Sequence, residues 1–131
     1  MKLDKLTTKL KEALQDALDQ AREANRQQVE PEEIMLSLLR QEDGISLELL
    51  DKAGIATFPM IRNLGDYLKQ LPQVSGAQVY LSARANRLFV HAGKEAEVLH
   101  DDYISCEHVV LACAADPESV FARECKKQRL S

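Results

Sequence analysis

The chain carries one pattern twice, at a constant separation of 75 positions. The segment VEPEEIMLSLL at 29–39 returns in degenerate form as ISCEHVVLACA at 104–114. In both segments a β-branched residue precedes a helix-start signal, a glutamate in the first turn and an apolar run. The same gap-free shift aligns Leu6 with Leu81, Ala17 with Ala92, Ala21 with Ala96, Glu32 with Glu107 and Leu36 with Leu111. Because a short helical unit cannot bury its apolar face alone, we expect one helical unit used twice, with its two copies packed face to face.

Apolar residues at intervals of three and four predict seven helices and an all-α fold. Residues 1–131 are expected to form a single domain built from a pseudo-twofold, duplicated four-helix repeat. Its parts are a first repeat at about 6–71, a linker at about 72–80 and a second repeat at about 81–131. The second repeat is truncated at its C-terminus, since the counterpart of the fourth helix would begin after Ser131. Either the chain is a trimmed piece of a longer protein or the domain is asymmetric, and the abrupt end at KKQRLS favours the first interpretation.

Polar residues just before apolar stripes mark where the helices begin. Thr7, Ser82 and Ser105 are the predicted N-caps of the first, fifth and sixth helices. Gly44 is predicted to end the second helix, and Ser46 to cap the third.

Composition and charge exclude several functions. A net charge of −4 and a pI near 5.4, with scattered basic residues, argue against nucleic-acid binding, which needs clustered Lys and Arg. No apolar run approaches the roughly eighteen residues of a membrane span, and the amphipathic, charged N-terminus does not read as a signal peptide. We therefore expect a cytoplasmic protein that contacts no membrane. Three cysteines in predicted helices favour reduced thiols.

Residues that could carry chemistry are present, but they form no recognisable motif. The glycines are isolated, so no phosphate-binding loop is predicted, and there is no nucleophile elbow. His91, His100 and His108 lack a catalytic context, and the set Cys106, His100 and His108 lacks the paired spacing of a metal site. The pairs Glu32-Glu33 and Asp101-Asp102 lie at helix starts, where the helix dipole accounts for them. We expect no catalytic residue, no metal and no cofactor, which leaves binding as the function.

Five blocks in order carry a resemblance to a known family. They are LDKLTTKLKEAL, VEPEEIMLSLL, LDKAGI, LPQV and DDYISCEHVVLA, and together they span nearly the whole chain. These blocks resemble the duplicated N-terminal domain of the Clp/Hsp100 AAA+ ATPases. The LDKLT start and the LPQV linker look most like the ClpB disaggregase branch, and ClpA and ClpC are less similar.

The resemblance implies a non-catalytic, substrate-capture domain tethered to a hexameric ATPase that disaggregates proteins under stress. Its expected partners are unfolded or aggregated client polypeptides, the AAA+ body of the parent hexamer and an adaptor protein. ATP and magnesium would belong to the AAA+ modules, not to this domain. An adaptor-docking domain of the ClpA or ClpC type is the alternative. A small standalone enzyme is a third, less favoured interpretation.

The resemblance also implies site residues. A threonine in the first helix start and two acids in the second copy contribute to client handling in ClpB relatives, and they match Thr7, Asp101 and Glu107. Each also has a local structural explanation, as an N-cap, a turn residue and a first-turn acid.

The family's apolar groove is lined by leucines, which this chain replaces with His91, Glu95 and His108. Each buried methylene contributes about 0.8 kcal/mol, so we expect weaker binding of apolar peptides there. Either the client surface has moved, or this homologue prefers charged or partly folded clients. If both histidines line one groove, capture of acidic segments should strengthen in mild acid.

Overall fold

Helices make up most of residues 3–76 and 78–130, the part of the chain that the computed structural model describes. A short 3₁₀ turn at Leu3–Lys5 precedes the regular elements. These are α1 (Thr8–Glu23), β1 (Gln28–Val29), α2 (Pro31–Arg40), α3 (Ser46–Lys52), α4 (Thr57–Lys69), β2 (Tyr80–Leu81), α5 (Ala83–Val98), α6 (Cys106–Ala114) and α7 (Val120–Leu130). The predicted all-α fold is confirmed, and the strands in this part of the chain are two residues long.

The helices of the second repeat follow those of the first at the predicted shift. Thr8–Glu23 moved by 75 positions becomes Ala83–Val98, so the bounds of α1 and α5 correspond residue for residue. The start of α2 likewise falls on the start of α6, and α7 covers the positions equivalent to α3. Within the described residues α4 has no counterpart.

Two crossed backbone pairings join the repeats. Strand β1 pairs in parallel with β2, with Val29 opposite Leu81. A separate parallel bridge joins Leu6 to Ile104. Ile104 is the equivalent of Val29, 75 positions later, and Leu6 is the equivalent of Leu81, 75 positions earlier. The second pairing therefore repeats the first. In each pairing, the segment before the second helix of one repeat contacts the segment before the first helix of the other, as a pseudo-twofold arrangement requires.

The predicted caps Thr7 and Ser82 are confirmed and lie beside these pairings. The Leu10 amide donates to Thr7 Oγ1 at 3.3 Å, and the Ala85 amide donates to Ser82 Oγ at 3.0 Å. The backbone N–H groups of the two caps donate across the junction. Thr7 N–H reaches Ile104 O at 2.9 Å and Ser82 N–H reaches Val29 O at 3.1 Å. Each cap therefore starts a helix and ties it to the other repeat.

Two expected helix boundaries are wrong. The residue that follows α2 is Gln41, in extended conformation, and the left-handed position before α3 belongs to Asp43, with φ of 59°. Aspartate tolerates that region, so Gly44 is not needed as the stop. Ser46 is the first residue of α3 rather than its cap, and its buried hydroxyl has no hydrogen-bond partner.

Helix α2 lies at the centre of the fold. Every residue from Pro31 to Leu39 is buried, because α2 packs against α1 on one side and α4 on another and also touches α5, α6 and α7. Ile34, Met35 and Leu38 are part of the core. The burial extends to Glu32 and Glu33, so the core contains carboxylates that require partners.

Ile34→Ala is expected to destabilise the fold by about 3 kcal/mol, because its fully buried side chain would leave a cavity between packed helices. Val98 is 74% exposed, so the matched change Val98→Ala should alter stability by less than about 0.5 kcal/mol. Urea denaturation followed by circular dichroism measures both. Equal losses would contradict the central position of α2.

Candidate functional site

Glu32 connects both repeats through one buried carboxylate. Arg84 on α5 donates from Nη1 to Glu32 Oε1 at 3.2 Å and from Nη2 to Oε2 at 3.1 Å. The backbone N–H of Val120, at the start of α7, donates to the same Oε2 at 3.1 Å. The glutamate in the first turn of α2 therefore holds α5 by a bidentate ion pair and accepts from the N-terminus of α7.

The charges around Glu32 are mutually compensated. Burial disfavours the charged form of Arg84, but the hydrogen bonds and charge of Glu32 outweigh it, so the guanidinium pKa is raised. Burial, and then the charge of Glu32, also raises the pKa of Tyr67. Glu33 pairs with Arg26. From the sequence, the helix dipole alone accounts for Glu32 and Glu33. That explanation is incomplete, because each of these two carboxylates also pairs with an arginine.

Replacing Glu32 by alanine is expected to cost about 3 kcal/mol of folding free energy, because the largely buried Arg84 loses its bidentate partner and keeps only the longer contacts to Glu30 at 3.6 Å and Asp116 at 4.0 Å. Glu107 occupies the equivalent position in α6 but is exposed, so Glu107→Ala should cost no more than about 1 kcal/mol. Urea denaturation measures the free energy of unfolding of both variants, and the two positions are matched because they are related by the 75-residue shift. A larger loss from Glu107→Ala would show that the wrong glutamate has been assigned the structural role.

Asp101 and His108 form a second polar contact, at the start of α6. The Ser105 backbone N–H donates to His108 Nδ1 at 2.8 Å, and His108 Nε2 lies 2.9 Å from Asp101 Oδ2. Because Nδ1 accepts, the ring proton is assigned to Nε2 and donated to the carboxylate. The histidine is buried, whereas half of the Asp101 side chain is exposed. Asp101 therefore orients the first turn of α6 and still faces solvent.

A cleft of about 310 Å³ lies beside this contact, where the repeats meet. We call it the junction cleft. Its lining residues are Lys5, Gly93, Ala96, Glu97, Asp101, Asp102, Tyr103 and Ile104. Three carboxylates thus face one ammonium group. Tyr103 is 55% exposed at the edge, so an aromatic face is available as well. The cleft suits a cationic or aromatic group more than an anion.

The residues predicted from the resemblance occupy different environments around the junction. Thr7 is half-buried and uses its hydroxyl as a cap, Asp101 lines the junction cleft, and Glu107 is exposed in the first turn of α6. Ile104 is hydrogen-bonded to Thr7 and lies three residues from both acids. Glu107 has no ion-pair partner among the described residues. Of the three, Asp101 and Glu107 are the ones exposed to solvent.

The predicted groove residues are not placed alike. His91 is exposed and lines a cleft of about 130 Å³ that also includes Arg87 and Asp116. Glu95 is half-buried one turn further along α5, and His108 is buried. No hydrogen bond or ion pair joins His91 to His108 in the described part of the chain. His91 is therefore the histidine of this pair that is exposed to solvent.

Lys5, Glu97 and Tyr103 were not predicted from the sequence. They come together only because the Leu6–Ile104 pairing brings the start of the chain against the turn between α5 and α6. The 75-residue shift was the signal that could have found them. Leu6 and Ile104 are the shifted equivalents of Leu81 and Val29, so a pairing of one couple implies a pairing of the other.

The three cysteines are free thiols, and burial raises the pKa of each. Among residues 3–76 and 78–130, no three His, Cys, Asp or Glu side chains are grouped so as to hold a metal ion. In the same ranges, no helix has both the length and the apolar character needed to cross a membrane.

Cys113 should resist alkylation in the folded chain, because burial raises its pKa to about 12. At pH 8 that pKa leaves roughly one thiol in ten thousand ionised, and the thiolate is the reactive form. Iodoacetamide labelling followed by peptide mass spectrometry should show modification of Cys113 only after addition of denaturant. Rapid labelling of Cys113 in the native chain would contradict its placement in the core.

Known proteins are similar to this chain in sequence and in fold. A family model described as the Clp repeat (R) N-terminal domain matches residues 5–128. The chain belongs to the Clp N-terminal domain family. The ClpB chaperone of Bacillus cereus is 35% identical over 131 residues, which cover 94% of this chain and 15% of that protein. ClpB of Porphyromonas gingivalis is 31% identical over 112 residues, covering 86% of this chain and 13% of that protein. This Clp N domain thus spans a small part of the length of these curated relatives.

Solved Clp N domains have the same fold. The N-terminal domain of the ClpV1 ATPase from the E. coli EAEC Sci1 T6SS superposes with a TM-score of 0.83 at 21% identity, covering 98% of this chain and 85% of that one. The Hsp104 N-terminal domain from Candida albicans gives a TM-score of 0.80 at 18% identity, covering 96% and 83%. At these identities the likeness establishes the architecture of this Clp N domain and does not assign its partner.

Proposed function

We propose that this Clp N domain captures unfolded or aggregated polypeptides for a ClpB-type disaggregase, and that it binds their basic and aromatic segments in the junction cleft. The observation that carries the proposal is the convergence of Asp101, Asp102 and Tyr103 beside the Leu6–Ile104 pairing, one of the two backbone pairings that join the repeats. Similarity to ClpB over most of the chain supports the client-capture role. ATP hydrolysis would take place in AAA+ modules of the parent protein.

The charge of the cleft favours basic segments of a client. Its carboxylates, Glu97, Asp101 and Asp102, outnumber the single cation Lys5. A client arginine can pair with these carboxylates and stack on the exposed ring of Tyr103 at the same time. Each such contact is individually weak at an exposed site, which suits a domain that must release its client.

The polar residues that replace the leucines of the family's groove also favour a client surface other than that groove. His91 is exposed, Glu95 is half-buried and His108 uses both ring nitrogens in local hydrogen bonds. These side chains offer little apolar area to a peptide, so binding by hydrophobic burial should be weak there. A charged and aromatic cleft supplies an alternative client surface.

Binding of unstructured peptides tests the proposal. A fluorescent peptide of alternating arginine and phenylalanine should bind the domain, and the same peptide with glutamate in place of arginine should not. Asp102→Asn combined with Tyr103→Ala is expected to weaken binding about tenfold, which corresponds to a loss of about 1.4 kcal/mol. High salt should weaken it further, because the Debye length falls to about 3 Å at 1 M. Fluorescence anisotropy measures all of these affinities.

Asp66→Asn is the matched control, since Asp66 is exposed on α4 and does not line the cleft. It removes one negative charge and should leave the affinity unchanged. A domain of the adaptor-docking type would bind neither peptide and would retain a folded adaptor instead. That result, or equal binding of the basic and acidic peptides, would refute client capture through the junction cleft.

A further inference from the structure

The exposed face of α7 is basic along its length. Arg123, Lys126, Lys127 and Arg129 are all exposed, and we call them the basic stripe. The single acid of the helix, Glu124, is buried and accepts from Asn63 Nδ2 on α4 at 2.5 Å, so it does not neutralise this face. No ion pair involves any member of the basic stripe within the described residues. The chain as a whole is acidic, with a net charge of −4, which makes this surface distinctive.

Helix α1 carries a complementary face. Glu12, Asp16, Asp19 and Glu23 recur at intervals of four, three and four, which places them along one side of the helix. We call them the acidic stripe. Asp19 pairs with Arg22 at 3.1 Å, whereas the other three have no ion-pair partner in the described part of the chain. These carboxylates are therefore available to an external cation.

A cleft next to the acidic stripe contains an unsatisfied polar group. Between α1 and α2 a cleft of about 370 Å³ is lined by Ser37 and Gln41, by three acids and by two cations; the acids are Glu12, Asp16 and Glu42, and the cations are Lys9 and Arg40. Ser37 is 1% exposed, and its hydroxyl has no hydrogen-bond partner. A buried hydroxyl without a partner is uncommon and costly, so it points to a donor that is absent from the isolated chain. An inserted ammonium group could donate to Ser37, and the three acids of the cleft exceed its two cations by one charge, which the ammonium group would balance.

The two stripes do not neutralise each other within one molecule. Helix α1 packs against α2 and β1, whereas α7 packs mainly against α4 and α6. We propose that the basic stripe of one copy docks on the acidic stripe of a second copy, with a lysine of α7 entering the cleft at Ser37. At 1.5 Å per residue the basic stripe is about 9 Å long and the acidic stripe about 16 Å, so the first fits along the second. The contact is heterologous, since different surfaces of the two copies meet.

Sedimentation velocity of the 131-residue chain tests this contact. Because the interface is exposed and ionic, association should be weak and should depend on salt. The weight-average sedimentation coefficient should rise with concentration up to about 1 mM in about 50 mM salt and stay flat in about 500 mM salt. A chain that remains monomeric throughout overturns the proposal.

Charge reversal identifies the surfaces. Lys126→Glu with Lys127→Glu should abolish association, and Glu12→Lys with Asp16→Lys should do the same. An equimolar mixture of the two variants should associate again, because the native basic stripe of one variant then meets the native acidic stripe of the other, and the two reversed stripes are also complementary. Recovery in the mixture also shows that both variants are folded. Failure to recover, with native circular dichroism for both variants, contradicts a contact between these stripes.

Arg62→Glu with Lys94→Glu is the matched control, since both residues are exposed outside the stripes and the net charge changes by the same amount. It should leave association within about twofold of the unaltered chain, because it changes long-range repulsion alone. An equal loss in the control would overturn the assignment. The unaltered chain could instead stay monomeric and bind a polyglutamate peptide through α7. That result would overturn docking of a second copy and would assign the basic stripe to a different, acidic partner.

Discussion

The buried ion pair between Glu32 and Arg84 supports much of the rest of the structure. Because α2 is enclosed on all sides, a carboxylate in its first turn has no access to water and requires full compensation from the protein. The guanidinium of Arg84 supplies two hydrogen bonds and the N-terminus of α7 supplies a third. One residue of the first repeat thus fixes the positions of two helices of the second.

The duplication allows equivalent positions to serve different purposes. Glu32 and Glu107 are related by the 75-residue shift, yet the first is buried and paired while the second is exposed. The difference follows from the depth of the two helices, since Leu36 of α2 is buried and its equivalent Leu111 of α6 is 46% exposed. The more accessible copy of the motif lies beside the junction cleft. The first repeat supplies the buried centre, and the second supplies the surface on which client binding is proposed.

Much of the fold could be predicted because its signals are local. The caps Thr7 and Ser82, the apolar stripes and the constant register required only neighbouring residues and a shift of the sequence against itself. Gly44 was misassigned, because an aspartate adopted the left-handed conformation that glycine usually supplies. The sequence pattern predicts helices reliably here and their terminal residues less well.

The site was harder to predict because its contacts are long-range. Arg84 is 52 residues from Glu32, and no local pattern marks that pair. The junction cleft depends on the crossed pairing of Leu6 with Ile104. His108 was placed in a groove from family register, whereas its position three residues after Ser105 makes it part of the helix cap. The available signal was the spacing, because His108 occupies the position where a capping box that begins with Ser usually has Glu or Gln.

Crossed backbone pairings join the two repeats into one cooperative unit. Native-state hydrogen exchange, followed by NMR, reports on those bonds through the amides of Thr7, Ser82 and Ile104, which donate across the junction. In one cooperative unit all three amides are expected to exchange only through global unfolding, with the same free energy of opening as the core amides of α2. Rapid exchange at these amides, while α2 stays protected, would mean that the repeats separate independently and do not form one cooperative unit.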